Sequence, residues 1–243
     1  MASVVLVSAI SLIGVFFLSI RPALLKKLLL FLVSFAVGAL FGDAFIHLLP
    51  EAYEGLGSGL NTSLLVLFGI MVFFVLEKVI RWRHCHDLEC KRHEKPPLVE
   101  MNLIGDGVHN LIDGMVIGAT YLVSIPLGIT TTLAIILHEI PQEIGDFGVL
   151  IHGGLTPRRA MFFNFLSALT AVLGAAISLT LGPAIQGYSL ILVPITAGGF
   201  IYIAGSDLLP ELHHESRPRN SLWQLVGILC GIGVMALLLF VIG

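Results

Sequence analysis

Nine side chains able to bind a cation or a proton lie in two otherwise apolar stretches, MNLIGDGVHNLIDGMVIGATYL (101–122) and IPLGITTTLAIILHEIPQEIGDFGVLI (125–151). They are Asp106, His109, Asn110, Asp113, His138, Glu139, Gln142, Glu143 and Asp146. On a helix, His109 and Asp113 stand four residues apart with Asp106 one turn earlier, so all three share a side. In the second stretch His138, Gln142 and Asp146 form one such row, and Glu139 and Glu143 form the row beside it. Two facing helices of this kind offer imidazole nitrogens, carboxylate oxygens and amide carbonyls to one ion. Mixed nitrogen and oxygen ligation suits borderline divalent metals such as Zn²⁺, Fe²⁺ and Mn²⁺. It suits Na⁺ and K⁺ poorly, because those ions need no imidazole. Pro141, within the second row, has no backbone donor and leaves the Leu137 carbonyl free to kink the helix or face the pocket.

These stretches have to sit in a membrane. Of 243 residues, 56% are hydrophobic and 12% charged, and the mean hydropathy is +0.97, too apolar for a soluble domain. An acid near a bilayer centre costs about 2.5–3.5 kcal/mol. Five of them together cost on the order of 10 kcal/mol, comparable to the whole stability of a typical protein. No Lys or Arg lies between residues 96 and 157 to compensate. Protons, water or a cation from solution must balance the carboxylates, and that points to a cation pathway.

Apolar stretches long enough to cross about 30 Å of hydrocarbon fall near 3–20, 28–50, 62–80, 99–122, 126–151, 160–182, 188–209 and 221–242. The expected fold is an all-α integral membrane protein of eight spans, one transmembrane transporter domain covering 1–243. Every Lys and Arg falls in four segments: Arg21 to Lys27, Lys78 to Lys95, Arg158 with Arg159, and Arg217 with Arg219. With eight spans these segments face one side. The positive-inside rule makes that side the cytoplasm and puts both termini outside. The first residues carry no basic n-region, so they read as a span and not as a signal peptide. Short loops suggest a prokaryotic cytoplasmic membrane, with an organelle membrane as the other host. No disulfide framework, basic nucleic-acid patch or soluble catalytic domain is visible, so neither a nucleic-acid partner nor a cofactor is expected.

GALFGDAFIHLLPE (38–51) can be laid over GGFIYIAGSDLLPE (198–211), matching Gly38 with Gly198, Ala44 with Ala204, and Leu-Leu-Pro-Glu with itself. In the topology above the two copies close oppositely directed spans. An inverted repeat follows, spans 1–3 against 6–8 with spans 4 and 5 between them, a 3+2+3 arrangement found in many transporters.

His109-Asn110-Leu-Ile-Asp113-Gly114 and His138-Glu139-Ile-Pro141-Gln142-Glu143 together resemble the paired HNxxDG and HEIPHE signatures of the ZIP family of metal transporters, closest to its LIV-1-like branch. The resemblance extends over essentially the whole chain. It implies a primary metal site at His109, Asp113, His138 and Gln142, an adjoining one at Asn110 and Glu139, and Asp113 as a bridge. It also implies transport of Zn²⁺, or of Fe²⁺, Mn²⁺ or Cd²⁺, toward the cytoplasm by a homodimer with an elevator-like motion. Two departures stand out. Gln142 occupies a position where the LIV-1 pattern has His, which predicts weaker zinc binding or broader metal choice. Residues 159–182 contain no acid, which puts a second metal position in doubt.

Other residues fit a route to and from that site. Asp43, His47 and Asp207 are candidates for its two ends, with Asp106, Glu143 and Asp146 beside the site itself. His84, Cys85, His86, Cys90 and His93 in the basic loop are candidates for cytoplasmic metal capture, as are His213 and His214 after span 7. The alternative of another class is an intramembrane zinc metalloprotease, because His138-Glu139-x-x-Gln142 is one residue from HExxH. The missing second His, the proline and the crowd of carboxylates weigh against it. The expected protein is therefore no enzyme. A metal sensor without flux is the third reading.

Overall fold

The structure, a computed structural model, describes residues 1–13, 22–57, 59–82, 98–185, 187–213 and 217–241. The chain is helical wherever it is regular, and no strand occurs among the described residues. Helix α1 is Ala2–Ile10, extended by a 3₁₀ turn, Ser11–Ile13. Helix α2, Pro22–Gly42, runs through a wide π turn, Asp43–Leu48, into a last segment, Leu49–Leu56. Then come α3, Gly59–Trp82, α4, Leu98–Val123, and α5, Ile125–His152. Helix α6 has two halves, Pro157–Ala168 and Thr170–Leu181. Helix α7, Tyr188–Tyr202, passes through a second π turn, Ile203–Leu208, into Leu209–His213. Helix α8 is Pro218–Val241.

Five helical stretches are long and apolar enough to cross a membrane: Leu30–Leu56, Gly59–Lys78, Pro157–Ala184, Tyr188–Ser206 and Asn220–Val241. The apolar stretch Ala2–Ile13 is shorter. Helices α4 and α5 have the length, 26 and 28 residues, and differ from the five in carrying the nine polar residues. Large apolar side chains point outward from α3 and α8, among them Leu64, Leu67, Phe68, Leu225, Leu229 and Leu237. A soluble protein would bury a stripe that wide; a lipid-facing helix has no reason to.

Two sets of helices emerge from the contacts. In one, α4 lies along α5 and along the second half of α6, and α1 lies against α5 and α6. In the other, α2 packs on α8 and α3 packs on α7. Small residues let these backbones touch. A Cβ on Gly114 would stand 1.9 Å from the Ala171 carbonyl oxygen, and one on Gly174 would stand 2.0 Å from that of Leu111. Only glycine permits that approach, and it fixes α4 beside α6. In the second set Gly38 faces the Ile228 carbonyl and Gly231 that of Phe35, while Gly198 faces the Val66 carbonyl and Gly69 that of Ile195.

The two π turns occupy equivalent places, each running directly into Leu-Pro-Glu. Between the sets lies an apolar core that includes Leu40, Leu48, Ile117, Ile135, Phe200 and Met235.

Candidate metal centre

Helices α4 and α5 are joined by the single residue Ser124, whose hydroxyl caps α5 by accepting from the Leu127 amide at 3.2 Å. The tight connection makes the pair antiparallel and sets the polar rows of one helix against those of the other. Helix α5 continues through Pro141 to His152; the Pro141 side chain lies outside the described residues.

His109, Asp113, His138 and Glu139 converge so that one ligand atom from each falls within 4.8 Å of all the others. The two Nε2 atoms of His109 and His138 are 3.2 Å apart. Asp113 Oδ2 is 3.6 Å from the His109 nitrogen and 3.2 Å from that of His138. Glu139 Oε1 is 3.4 Å from the first and 3.5 Å from the second. Ligands about 2.0–2.1 Å from a tetrahedral zinc stand about 3.3 Å from one another. Every measured edge of this cluster, from 3.2 to 3.6 Å, lies close to that spacing.

The surroundings prepare the ligand atoms. The His138 Nδ1–H donates to the Ala134 carbonyl at 3.2 Å, which leaves the lone pair of the neutral ring on Nε2, facing the cluster. The ring also packs edge-on against Phe200, centroids 6.2 Å apart. Asp113, His138 and Glu139 are buried. Asp113 Oδ2 and both Glu139 oxygens receive no hydrogen bond. Buried carboxylate oxygens without donors are costly, and a cation relieves that cost.

The remaining predicted residues surround this centre. Gln142, expected among the ligands of the primary site, directs its amide nitrogen to Asp106 Oδ1 at 3.4 Å. Glu139, expected next door, stands in the cluster itself. Asn110 donates to the same Asp106 oxygen at 2.8 Å, and its own carbonyl oxygen is buried without a partner. Glu143 is buried and hydrogen-bonded by the Asn164 amide of α6. Asn164 is a polar residue in an apolar span with no local pattern to mark it, since its partner Glu143 lies on another helix.

A cavity of about 320 Å³ begins at His109 and runs past Asp106, Gln142 and Asp146 toward Glu77 and Tyr202. At the opposite end of the molecule a second cavity of about 320 Å³ is lined by His47, Glu51, Glu54, Ser124 and Thr130. His47 Nε2–H donates there to the Met235 carbonyl at 3.0 Å. Asp43, one helical turn away, is fully buried with neither oxygen hydrogen-bonded. His213 is exposed at the end of α7. The Asp207 side chain, His214 and the whole of His84, Cys85, His86, Cys90 and His93 lie outside the described residues.

With this geometry in place, known proteins supply the context. A family model described as the ZIP zinc transporter matches residues 1–98 and 82–239. The chain belongs to the ZIP family. It is 32% identical over 308 residues to zinc transporter SLC39A7 of Rattus norvegicus, the match covering 88% of this chain and 65% of that protein. It is 37% identical over 221 residues to zinc transporter ZIP13 of Pongo abelii, covering 85% and 65%. A ZIP13 homolog of Drosophila melanogaster is 31% identical over 276 residues, covering 88% and 78%. This ZIP chain thus spans just under two thirds of the length of the first two relatives.

Proposed function

We propose that this ZIP chain carries divalent transition-metal ions, Zn²⁺ first, across a membrane toward the cytoplasm, and that His109, Asp113, His138 and Glu139 hold the ion in transit. The observation that carries the reading is the near-tetrahedral spacing of two imidazole nitrogens and two donor-free carboxylate oxygens. Asn110, Gln142 and Asp106 surround it and supply amide and carboxylate oxygens on the way out. The names of the relatives, each a zinc transporter, agree.

The proposed topology has eight crossings with both termini outside. The cavity at His47 then opens outward and the cavity at Glu77 opens to the cytoplasm, so the arrangement is inward-facing. An inverted 3+2+3 repeat is supported by the crossings: the shift that lays Gly38 on Gly198 also lays Phe35 on Ile195, and Val66 and Gly69 answer to Ile228 and Gly231. The α2–α8 pair and the α7–α3 pair are then one contact used twice. In the proposed cycle metal sheds water and displaces protons as it binds, and α1, α4, α5 and α6 move against α2, α3, α7 and α8. The family resemblance adds a homodimer in a lipid bilayer. Short loops favour a prokaryotic cytoplasmic membrane as host; the relatives above come from animals.

The test is Zn²⁺ flux into proteoliposomes holding a metal-sensitive dye, comparing wild type with His109→Ala and Asp113→Ala. Flux in wild type that disappears in both variants is the expected result. Folded wild-type protein that moves none of Zn²⁺, Fe²⁺, Mn²⁺ or Cd²⁺ would contradict it. Because the ligands must be deprotonated, apparent affinity should fall as pH drops from about 7.5 to 5.5, through the ordinary imidazole value of about 6.5. A flat profile would exclude imidazole ligation. The protease reading has no support in the site, where Gln142 turns to Asp106 and not to the cluster.

A further inference from the structure

Asp43 opens the π turn of α2, where that helix meets α5. It is fully buried. Thr130 and Thr131 of α5 stand beside its carboxyl without a hydrogen bond of full geometry to either oxygen. The Thr130 hydroxyl is spent on the Leu127 carbonyl at 3.0 Å. The Thr131 hydroxyl is buried and makes no hydrogen bond of its own. Two idle polar groups, one from each helix set, thus meet at the interface. Thr130 and Leu127 also line the outer cavity, and His138 of the cluster lies about two turns along α5 in the other direction.

No basic side chain compensates Asp43. The helices packed on its π turn are α2, α5, α7 and α8. Neither α5 nor α7 contains a Lys or Arg, and Lys26, Lys27 and Arg219 lie more than four turns away, at the far ends of α2 and α8. The other titratable groups of these elements are engaged or distant. His47 is held by the Met235 carbonyl, Glu51 and Glu54 line the outer cavity, and His138 and Glu139 belong to the cluster. Cys230 on α8 is exposed, and Tyr188 and Tyr202 stand at the two ends of α7. An ionised carboxyl enclosed in this way costs several kcal/mol, and such a group takes a proton instead. The acid form also carries the donor that the Thr131 oxygen lacks.

We infer that Asp43 is a proton-exchange site: it holds a proton while α5 is seated on α2, as here, and releases it when the helix sets part on the outer side. The inference rests on the transport reading above, which supplies the motion, and adds to it a second cation and a residue outside α4 and α5. Ionisation needs water, and water reaches Asp43 once α5 withdraws and the outer cavity extends past Thr130. The step is the binding or release of one proton at a carboxyl oxygen, exchanged with the outer solution, and no other bond changes. Proton binding and closure are therefore reciprocal. An alkaline outer solution favours the outward-open arrangement, and an acidic one favours the closed arrangement seen here.

The experiment reads the arrangement of the full chain in vesicles, with a chelator in place of metal. Cys85, Cys90 and Cys230 are replaced by serine, and Leu127→Cys is the reporter, because Leu127 lines the outer cavity and is buried when the sets are closed. A membrane-impermeant maleimide is added outside, and each rate is divided by that of Asn61→Cys, exposed at the start of α3, to remove the thiol's own pH dependence. With Asp43 present the ratio should rise about fivefold from pH ~6 to pH ~8 as the open form gains population. Asp43→Asn, neutral at every pH, should give a low and flat ratio, and Asp43→Glu should restore the rise. The cluster histidines titrate over the same range and are intact in both variants, so a rise that survives in Asp43→Asn overturns the inference. So does a flat ratio with Asp43 present, or a flat ratio in Asp43→Glu. Calorimetric Zn²⁺ binding at the affinity of the parent chain shows that each variant is folded. Zn²⁺ flux is measured separately: its absence fails the transport reading, whereas the labelling contains no metal and fails only with Asp43.

Discussion

The α4–α5 pair and the crossings of α2 on α8 and α3 on α7 are built on opposite terms. The crossings are closely packed, with glycine backbones resting on carbonyl oxygens of the neighbouring helix. The α4–α5 pair is left open. Asp106, Asn110, Asp113, Glu139, Glu143 and Asp146 all carry buried oxygens with no hydrogen-bond partner. One region spends its sequence on staying fixed and the other on remaining incomplete until an ion arrives. A mutation should therefore change stability in the first and cargo handling in the second, seldom both.

The largest effects belong to the cluster. His138→Ala and Asp113→Ala should each abolish flux and weaken Zn²⁺ binding by at least ~100-fold, more than the loss of an outer-shell partner costs. Thermal unfolding of Asp113→Ala should stay at the wild-type midpoint or rise, because the change removes a buried carboxylate whose Oδ2 has no hydrogen-bond partner. A fall in midpoint that matched the loss of binding would erase the distinction between the two regions. Next come the crossings. Gly38→Leu and Gly198→Leu touch no candidate ligand, yet a side chain there meets backbone about 2 Å away. Each should destabilise by about 3 kcal/mol or more, read as a lowered midpoint in detergent. Equal losses at the two positions sharpen the case for a repeat; an effect at only one breaks it.

A smaller change is expected where the regions meet α6. Asn164→Ala takes the amide from Glu143 and should cost about 1–3 kcal/mol, the penalty for an unsatisfied buried group. Flux should survive at reduced rate, because Asn164 stands outside the four-residue cluster. The smallest effect is at Gln142. Gln142→His adds an imidazole beside Asp106 and should raise Zn²⁺ affinity by less than about tenfold, with Mn²⁺ gaining less. Competition of the two metals for uptake measures it. An unchanged preference would show that position 142 is not part of metal selection.

Much of this contrast could be read from residue order. The period of 3.6 put His109 with Asp113 and separated the His138 row from the Glu139 row, and the absence of basic residues from 96 to 157 marked the acids as uncompensated. Helical spacing says which side of a helix a residue takes, but not how far two helices are rotated toward each other. That rotation brings Glu139 into the cluster and leaves Gln142 to Asp106, and the signature motifs alone suggested the reverse emphasis. Asn164 and Tyr202 were invisible for another reason: each acquires meaning through a partner far along the chain, Glu143 and Glu77. The Leu-Leu-Pro-Glu copies were legible, whereas the π turns that precede them were not, since no residue type demands the wider turn.

The most direct test of the central claim is X-ray absorption at the zinc edge on the purified, Zn²⁺-loaded chain. Four nitrogen and oxygen neighbours at about 2.0–2.1 Å, with the outer-shell scattering of two imidazoles, are expected from His109, His138, Asp113 and Glu139. Loss of one imidazole in His109→Ala would assign them. A sulfur shell near 2.3 Å would place the metal on Cys85 and Cys90 instead. A shell of oxygen alone would remove the histidines from the site, and either result would contradict the account.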